Sequence, residues 1–102
     1  MLTSKYFNLG KVVCSRSVYD LLVEDLQFRT DVSRAMQRYK NKDWGDLDAE
    51  DKQINEEALM YPDDLYILAA YRTCKGKIYI ITNRISERAG DNGTTICFPE
   101  ER

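Results

Sequence analysis

Histidine is absent from this chain of 102 residues. Its absence removes the commonest general base, the usual partner of a nucleophilic serine or cysteine, and the commonest metal ligand. Hydrolase triads and zinc enzymes are therefore disfavoured, while carboxylate chemistry stays open. Cysteine is scarce. Cys14, Cys74 and Cys97 are odd in number, widely spaced and form no C-x-x-C pair, so neither a zinc ribbon nor a redox motif is written here. Each lies in or beside a strand-like run, and the expectation is three small buried hydrophobes with reduced thiols, as in a cytoplasm. Long apolar runs are missing too. Nothing approaches the roughly 18 residues of a membrane helix, and no charged region followed by an apolar core opens the chain as in a signal peptide. The expected setting is cytoplasmic and away from membranes. There is also no Gly-rich phosphate loop, internal repeat or low-complexity linker.

A surplus of positive charge is likewise absent. Fifteen Lys and Arg stand against 17 Asp and Glu, for a net charge of −2. The pI near 5.1 argues against a general polyanion binder, whose domain is normally basic. Apolar residues make up 43% and charged residues 31%. That composition and length fit a single domain over residues 1–102 with one modest core.

What is present is a patterned chain. Tyr6 to Cys14 reads as a first strand, with Gly10 at a bulge or close approach. Ser17 with Asp20 resembles a helix start, and the short helix that follows places Val18, Leu21, Leu22 and Leu26 inward. A second helix runs from Gln27 or Thr30 to Lys40. Phe28, Val32, Ala35, Met36 and Tyr39 form its apolar stripe. Trp44-Gly45 breaks it. Asp48 and Asp51 then open a third helix that ends near Met60, with Ile54, Ala58 and Leu59 inward. Tyr61-Pro62-Asp63-Asp64 stops it. Leu65–Thr73 and Ile78–Thr82 make a hairpin about Cys74-Lys75-Gly76-Lys77. After a polar loop from Asn83 to Asn92, Thr94–Phe98 is the last strand, stopped by Pro99. The order β-α-α-α-β-β-β predicts an α+β fold in which an antiparallel sheet packs against helices.

Charge is strongly local. Between Asp43 and Asp64 stand nine carboxylates, with Lys52 the only base, a local charge of −8. One reading is that the carboxylates imitate nucleic-acid phosphates and enter a basic groove on a protein. The other is the solvated face of a surface helix. Trp44 is either an exposed anchor, since Trp is enriched at hot spots, or a plug of the helix end against the core with its N–H bonded. The candidate partner-binding set is Trp44, Asp46, Glu50, Asp51, Glu56 and Glu57. The basic run Arg29, Arg34, Arg38, Lys40, Lys42 points to phosphate contacts, to intramolecular pairing with the acidic helix, or to a second partner surface. Thr82, Arg84, Arg88, Thr94 and Thr95 are either a polar patch on the last strands or ordinary exposed strand and loop residues.

Catalytic chemistry finds little support. Pro62-Asp63 opens like a metal-dependent nuclease motif, but the acid-spacer-lysine triplet does not follow it. Asp46, Asp48, Glu50 and Asp51 lack the loop glycine and terminal Glu of an EF-hand. No catalytic, cofactor or metal residues are assigned, and the chain is read as a non-enzyme.

Several segments carry a resemblance. They are Phe7-Asn8-Leu9-Gly10-Lys11-Val12-Val13, Asp43-Trp44-Gly45-Asp46-Leu47 with Glu50-Asp51-Lys52 and Asn55, Lys77-Ile78-Tyr79-Ile80-Ile81-Thr82, and Thr94-Thr95-Ile96-Cys97-Phe98-Pro99-Glu100-Glu101. In order along the chain, they resemble small "plasmid-related" proteins of mobile elements in Gram-positive gut bacteria, sometimes labelled a modification subunit of type I restriction. Methyltransferase subunits need a cofactor-binding domain that 102 residues cannot hold. The resemblance implies an accessory gene of mobile DNA, and such genes often block CRISPR nucleases or restriction enzymes. The expected function is a protein-binding inhibitor of a host defence nuclease acting through an acidic surface. The alternative is a small nucleic-acid-binding regulator of plasmid or phage functions.

Overall fold

The computed structural model describes residues 6–7, 9–60, 67–83 and 93–102. Its elements follow the expected order: β1 (Lys11–Cys14), α1 (Arg16–Glu24), α2 (Leu26–Lys40), α3 (Ala49–Met60), β2 (Ile67–Thr73), β3 (Gly76–Asn83) and β4 (Gly93–Cys97), then a short 3-10 turn at Pro99–Glu101. The fold is α+β. The sheet order is β1-β4-β3-β2. β2–β3 and β3–β4 are antiparallel, but β1 runs parallel to β4, so the sheet is mixed rather than purely antiparallel. The junction after β1 accounts for its direction. Ser15 N–H bonds the Ile96 carbonyl at the end of the pair, and α1 begins at once beside β4.

Local signals place the helices. Ser15, not Ser17, caps α1 by accepting from the Val18 amide. Asp25 closes α1 and also caps α2, accepting from the Phe28 amide at 2.9 Å, so the two helices share one residue as their joint. The α2 stripe Phe28, Val32, Ala35, Met36 and Tyr39 is buried as its spacing requires. Each large member of it contributes roughly 1.5–3 kcal/mol of burial. Leu26 opens α2 and is 71% exposed instead of inward, because the stripe begins two residues later. In α3 Asn55 and Ala58 are buried and Leu59 packs partly buried on the core, while Ile54 is exposed.

The first strand is shorter than its composition implies. Gly10 has φ 64°, a left-handed turn that separates Leu9 from β1. Phe7 still packs edge-on against Tyr39 at 5.4 Å, so these residues enter the core without joining the sheet. The hairpin pairs Thr73 with Gly76 across the two-residue turn Cys74-Lys75, and Gly76 takes φ 104°. Asp31 on α2 accepts from the Cys74 amide, and Asp25 pairs with Lys75, tying this turn to the helix layer. The stop at residues 61–64, the start of the hairpin at 65–66 and most of the polar loop, 84–92, lie outside the described residues.

The sheet face under α2 carries Ile67, Ala69, Tyr71, Ile78, Ile80 and Ile96, and with them Thr82 and Thr94, both fully buried. Neither a polar patch nor ordinary exposed strand positions describes Thr82 and Thr94, because inward register buries them. Their hydroxyls are satisfied in a chain. Thr94 Oγ1 donates to the Leu9 carbonyl at 2.6 Å, which leaves Thr82 to donate to Thr94 and Tyr39 to donate to Thr82, each at 2.7 Å. One hydroxyl proton per residue fixes that direction. The chain of bonds fastens α2, β3, β4 and the segment before β1 together.

Candidate functional site

The candidate residues lie on the 43–47 segment and on α3. Asp48 caps α3, its Oδ1 accepting from the Asp51 amide at 2.8 Å. Glu50 and Asp51 in the first turn complement the positive end of the helix dipole. Ahead of the cap, the chain runs beside β2. Asp46 N–H bonds the Ala70 carbonyl at 2.7 Å, and Ala70 N–H reaches the Trp44 carbonyl at 3.4 Å. Gly45 makes this approach possible. Its φ is 75°, and a Cβ there would strike the Ala70 carbonyl and the Tyr71 ring. One turn into α3, Asn55 continues the cover: its Nδ2 donates to the Leu68 carbonyl at 2.7 Å, and its Oδ1 accepts from the Leu68 amide at 3.2 Å. Both outward-pointing peptide groups of β2 at Leu68 and Ala70 are thus paired, which blunts a sheet edge that would otherwise recruit another strand.

Trp44 belongs to this seal. It is 3% exposed, with Phe7 and Tyr39 ring centroids at 6.0 and 5.7 Å. Its indole N–H donates to Glu56 Oε1 at 3.1 Å, and Lys42 pairs with Glu56 Oε2 at 3.7 Å. The reading of Trp44 as an exposed anchor is therefore corrected: the ring plugs the end of α2 and offers no surface to a partner.

The other acids divide into two groups. Asp43 accepts from Arg38 at 2.8 and 3.2 Å and from the Gly45 amide. The Arg38 hydrogen bond, outweighing partial burial, holds its carboxyl below the usual 3.8. Arg38 also lies over the Tyr71 ring, whose phenol donates to the Asp43 carbonyl at 2.6 Å and is itself pushed up by burial. Asp46 pairs loosely with Arg72 at 3.8 Å. Asp43, Asp46 and Glu56 are thus matched by bases of α2, its exit and β2, which is the intramolecular pairing the charge pattern allowed. Glu50, Asp51 and Glu57 are exposed and make no ion pair among the described residues. Glu57 accepts only a long bond from Gln53 at 3.5 Å.

Helical geometry sorts these three further. Glu50, Gln53, Glu57 and Met60 follow one row at i, i+3, i+7, i+10, and all are exposed. Asp51, Ile54, Asn55 and Ala58 follow another, directed at the sheet. Asn55 and Ala58 are sealed on β2, whereas Asp51 and Ile54 border an open groove of about 280 Å³ with Leu47, Leu68, Tyr79 and Arg102. The acids thus do not share one face.

The basic run is partly consumed as well. Arg29 donates to the Leu22 and Val23 carbonyls at the end of α1, Arg38 serves Asp43, and Lys42 serves Glu56. Cys97 is buried and Cys14 half-buried, but Cys74 is exposed in the hairpin turn, where turn geometry leaves no core to enter. Arg84 and Arg88 lie outside the described residues, and Thr95 is half-buried. Sequence reading missed Asn55 and the Tyr39–Thr82–Thr94 chain. The signal for Asn55 was its place on the Asp51–Ala58 row, where an amide can meet a strand edge. Among the described residues, no group of three or more His, Cys, Asp or Glu is placed to hold a metal ion, and no helix is long and apolar enough to cross a membrane.

No family model, curated protein or solved structure matches the chain.

Proposed function

We propose that this chain is a non-enzymatic, protein-binding accessory factor of a mobile element, and that it inhibits a host defence nuclease of the CRISPR or restriction type. The supporting observation is the division of its carboxylates. Asp43, Asp46 and Glu56 are matched within the fold, while Glu50, Asp51 and Glu57 stand exposed on α3 without ion pairs among the described residues. Unmatched charge at the protein surface speeds encounter with a complementary partner and selects against a wrong one. Arg29, Arg38 and Lys42 are engaged within the fold, which weighs against a long polyanion as the ligand. The nature of the target, the mobile-element origin and the cytoplasmic setting rest on the sequence resemblance.

The test is a panel of CRISPR and restriction effectors from Gram-positive gut bacteria. Purified protein should co-elute with one of them and suppress its DNA cleavage. A variant with Glu50, Asp51 and Glu57 changed to Lys should fold, associate more slowly and show a flatter salt dependence. A panel showing neither binding nor inhibition would remove the inhibitor reading. Equal association rates for the two proteins at low salt would remove α3 as the interface. A DNA mobility shift that weakens steeply with salt would instead establish the nucleic-acid regulator.

A further inference from the structure

We infer that the groove beneath the first half of α3 seats one apolar side chain from a basic segment of a protein partner. This rests on the reading of α3 as a docking surface and names the segment it takes. α3 meets the sheet unevenly. Asn55 and Ala58, 3% and 2% exposed, close the second half against β2. Asp51 and Ile54, one turn earlier on the same row, border the open groove, and Ile54 is 45% exposed. Leu47, Leu68 and Tyr79 are only partly covered at the floor and walls. A helix row directed at a sheet normally carries apolar residues that the sheet covers, and here the protein supplies no cover among its described residues.

The space is about 280 Å³, just under the roughly 300–1,000 Å³ typical of pockets for whole small ligands. It suits a side chain reaching in from a larger molecule. Charge identifies the carrier. Asp51 forms the α3 wall, and exposed Glu50 precedes it, so bases flanking the inserted side chain meet carboxylates there. Arg102 borders the groove too. An apolar centre inside a charged rim is the usual anatomy of a protein interface. The wider groove between α1 and α2, about 410 Å³ over Leu22, Val32, Met36 and Ile96, has no such selector. Its charged residue, Arg29, is spent on the Leu22 and Val23 carbonyls.

Three labelled peptides of equal length test the inference on the full chain, by fluorescence anisotropy and amide chemical shifts. One alternates lysine with leucine, one lysine with serine and one glutamate with leucine. The lysine–leucine peptide should bind best, with shifts concentrated at Leu47, Ile54, Leu68 and Tyr79. Ile54→Ala should weaken it about tenfold while the rest of the spectrum stays that of the folded protein. Asp51→Asn should reduce the salt dependence. If the lysine–serine peptide binds equally well and Ile54→Ala changes nothing, the groove is not used, although the acidic surface still docks bases. Equal binding of the glutamate–leucine peptide would overturn the basic carrier. Binding of none of the three overturns the groove, while the effector panel and the charge-reversed variant still decide the broader reading.

Discussion

Asn55→Leu should destabilise the fold although it keeps the side chain's branching and heavy-atom count and adds apolar surface. Asn55 is 3% exposed and closes two hydrogen bonds with the Leu68 peptide, at 2.7 and 3.2 Å. Leucine removes both and strands a donor and an acceptor on the β2 edge. Each unsatisfied buried group costs about 1–3 kcal/mol. The adjoining groove admits water, so the lower half of the summed range, about 2–4 kcal/mol, is expected. Against a total of about 5–15 kcal/mol for a domain of this size, that is a large fraction. The melting temperature should fall by at least about 8 °C. Urea denaturation followed by circular dichroism gives the energy, and hydrogen exchange at the Leu68 amide reports the site. Gln53→Leu, on the solvent row, is the control and should stay within about 0.5 kcal/mol. Asn55→Asp adds a sign test. Its carboxylate would face the Leu68 carbonyl in place of a donor, so its folded pKa lies above the unfolded one. Relative to the native protein, that variant should gain stability at low pH and lose it as the pH rises through the raised pKa. If Asn55→Leu is as stable as the native protein, with unchanged exchange at Leu68, the amide clamp does not hold α3 on the sheet.

Three further outcomes are expected. Trp44→Ala should cost about 3–5 kcal/mol, with native emission blue-shifted and moving red on unfolding; an exposed emission spectrum and an unchanged melting temperature would contradict the plug. Gly45→Ala should cost about 2–4 kcal/mol, from left-handed strain plus displacement of the Ala70 pairing, and a neutral result by denaturant titration would mean the segment shifts freely. Acid should destabilise the protein. Asp25, Asp31 and Glu101 are held below their ordinary values chiefly by the Phe28, Cys74 and Phe98 amides, and Asp43 by Arg38. Depressed folded pKa values contribute stability above the unfolded value that is lost as the pH falls through the folded one, so the decline should set in below about pH 4. Asp43→Asn should shallow that decline, and an unchanged acid limb would show that the Arg38 pair does not contribute.

Periodicity determined much of this fold before any contact was known. The stripe from Phe28 to Tyr39 could be read directly, because a helix repeats every 3.6 residues and buries whichever side is apolar. Asp48 opening α3 and the place of the hairpin turn were legible because caps and turns are written in neighbouring residues, although the turn spans only Cys74-Lys75 where four residues were expected. The candidate acids were visible as charge, but which of them remain free was not. That depended on where Arg38, Lys42 and Arg72 come to rest, and the last of these lies 26 positions from its partner Asp46. The exposure of Ile54 beside a buried Asn55 was equally hidden, since both lie near the inward row and only the free peptide groups of β2 favour an amide there. Thr82 and Thr94 look like surface residues until register places their hydroxyls in one buried chain ending at the Leu9 carbonyl. The direction of β1 was hidden as well, because it is set by pairing with β4 far along the chain. Local sequence encodes the shape of each element, whereas polar satisfaction in the core is a property of pairs, and the chain brings those pairs together only when it folds.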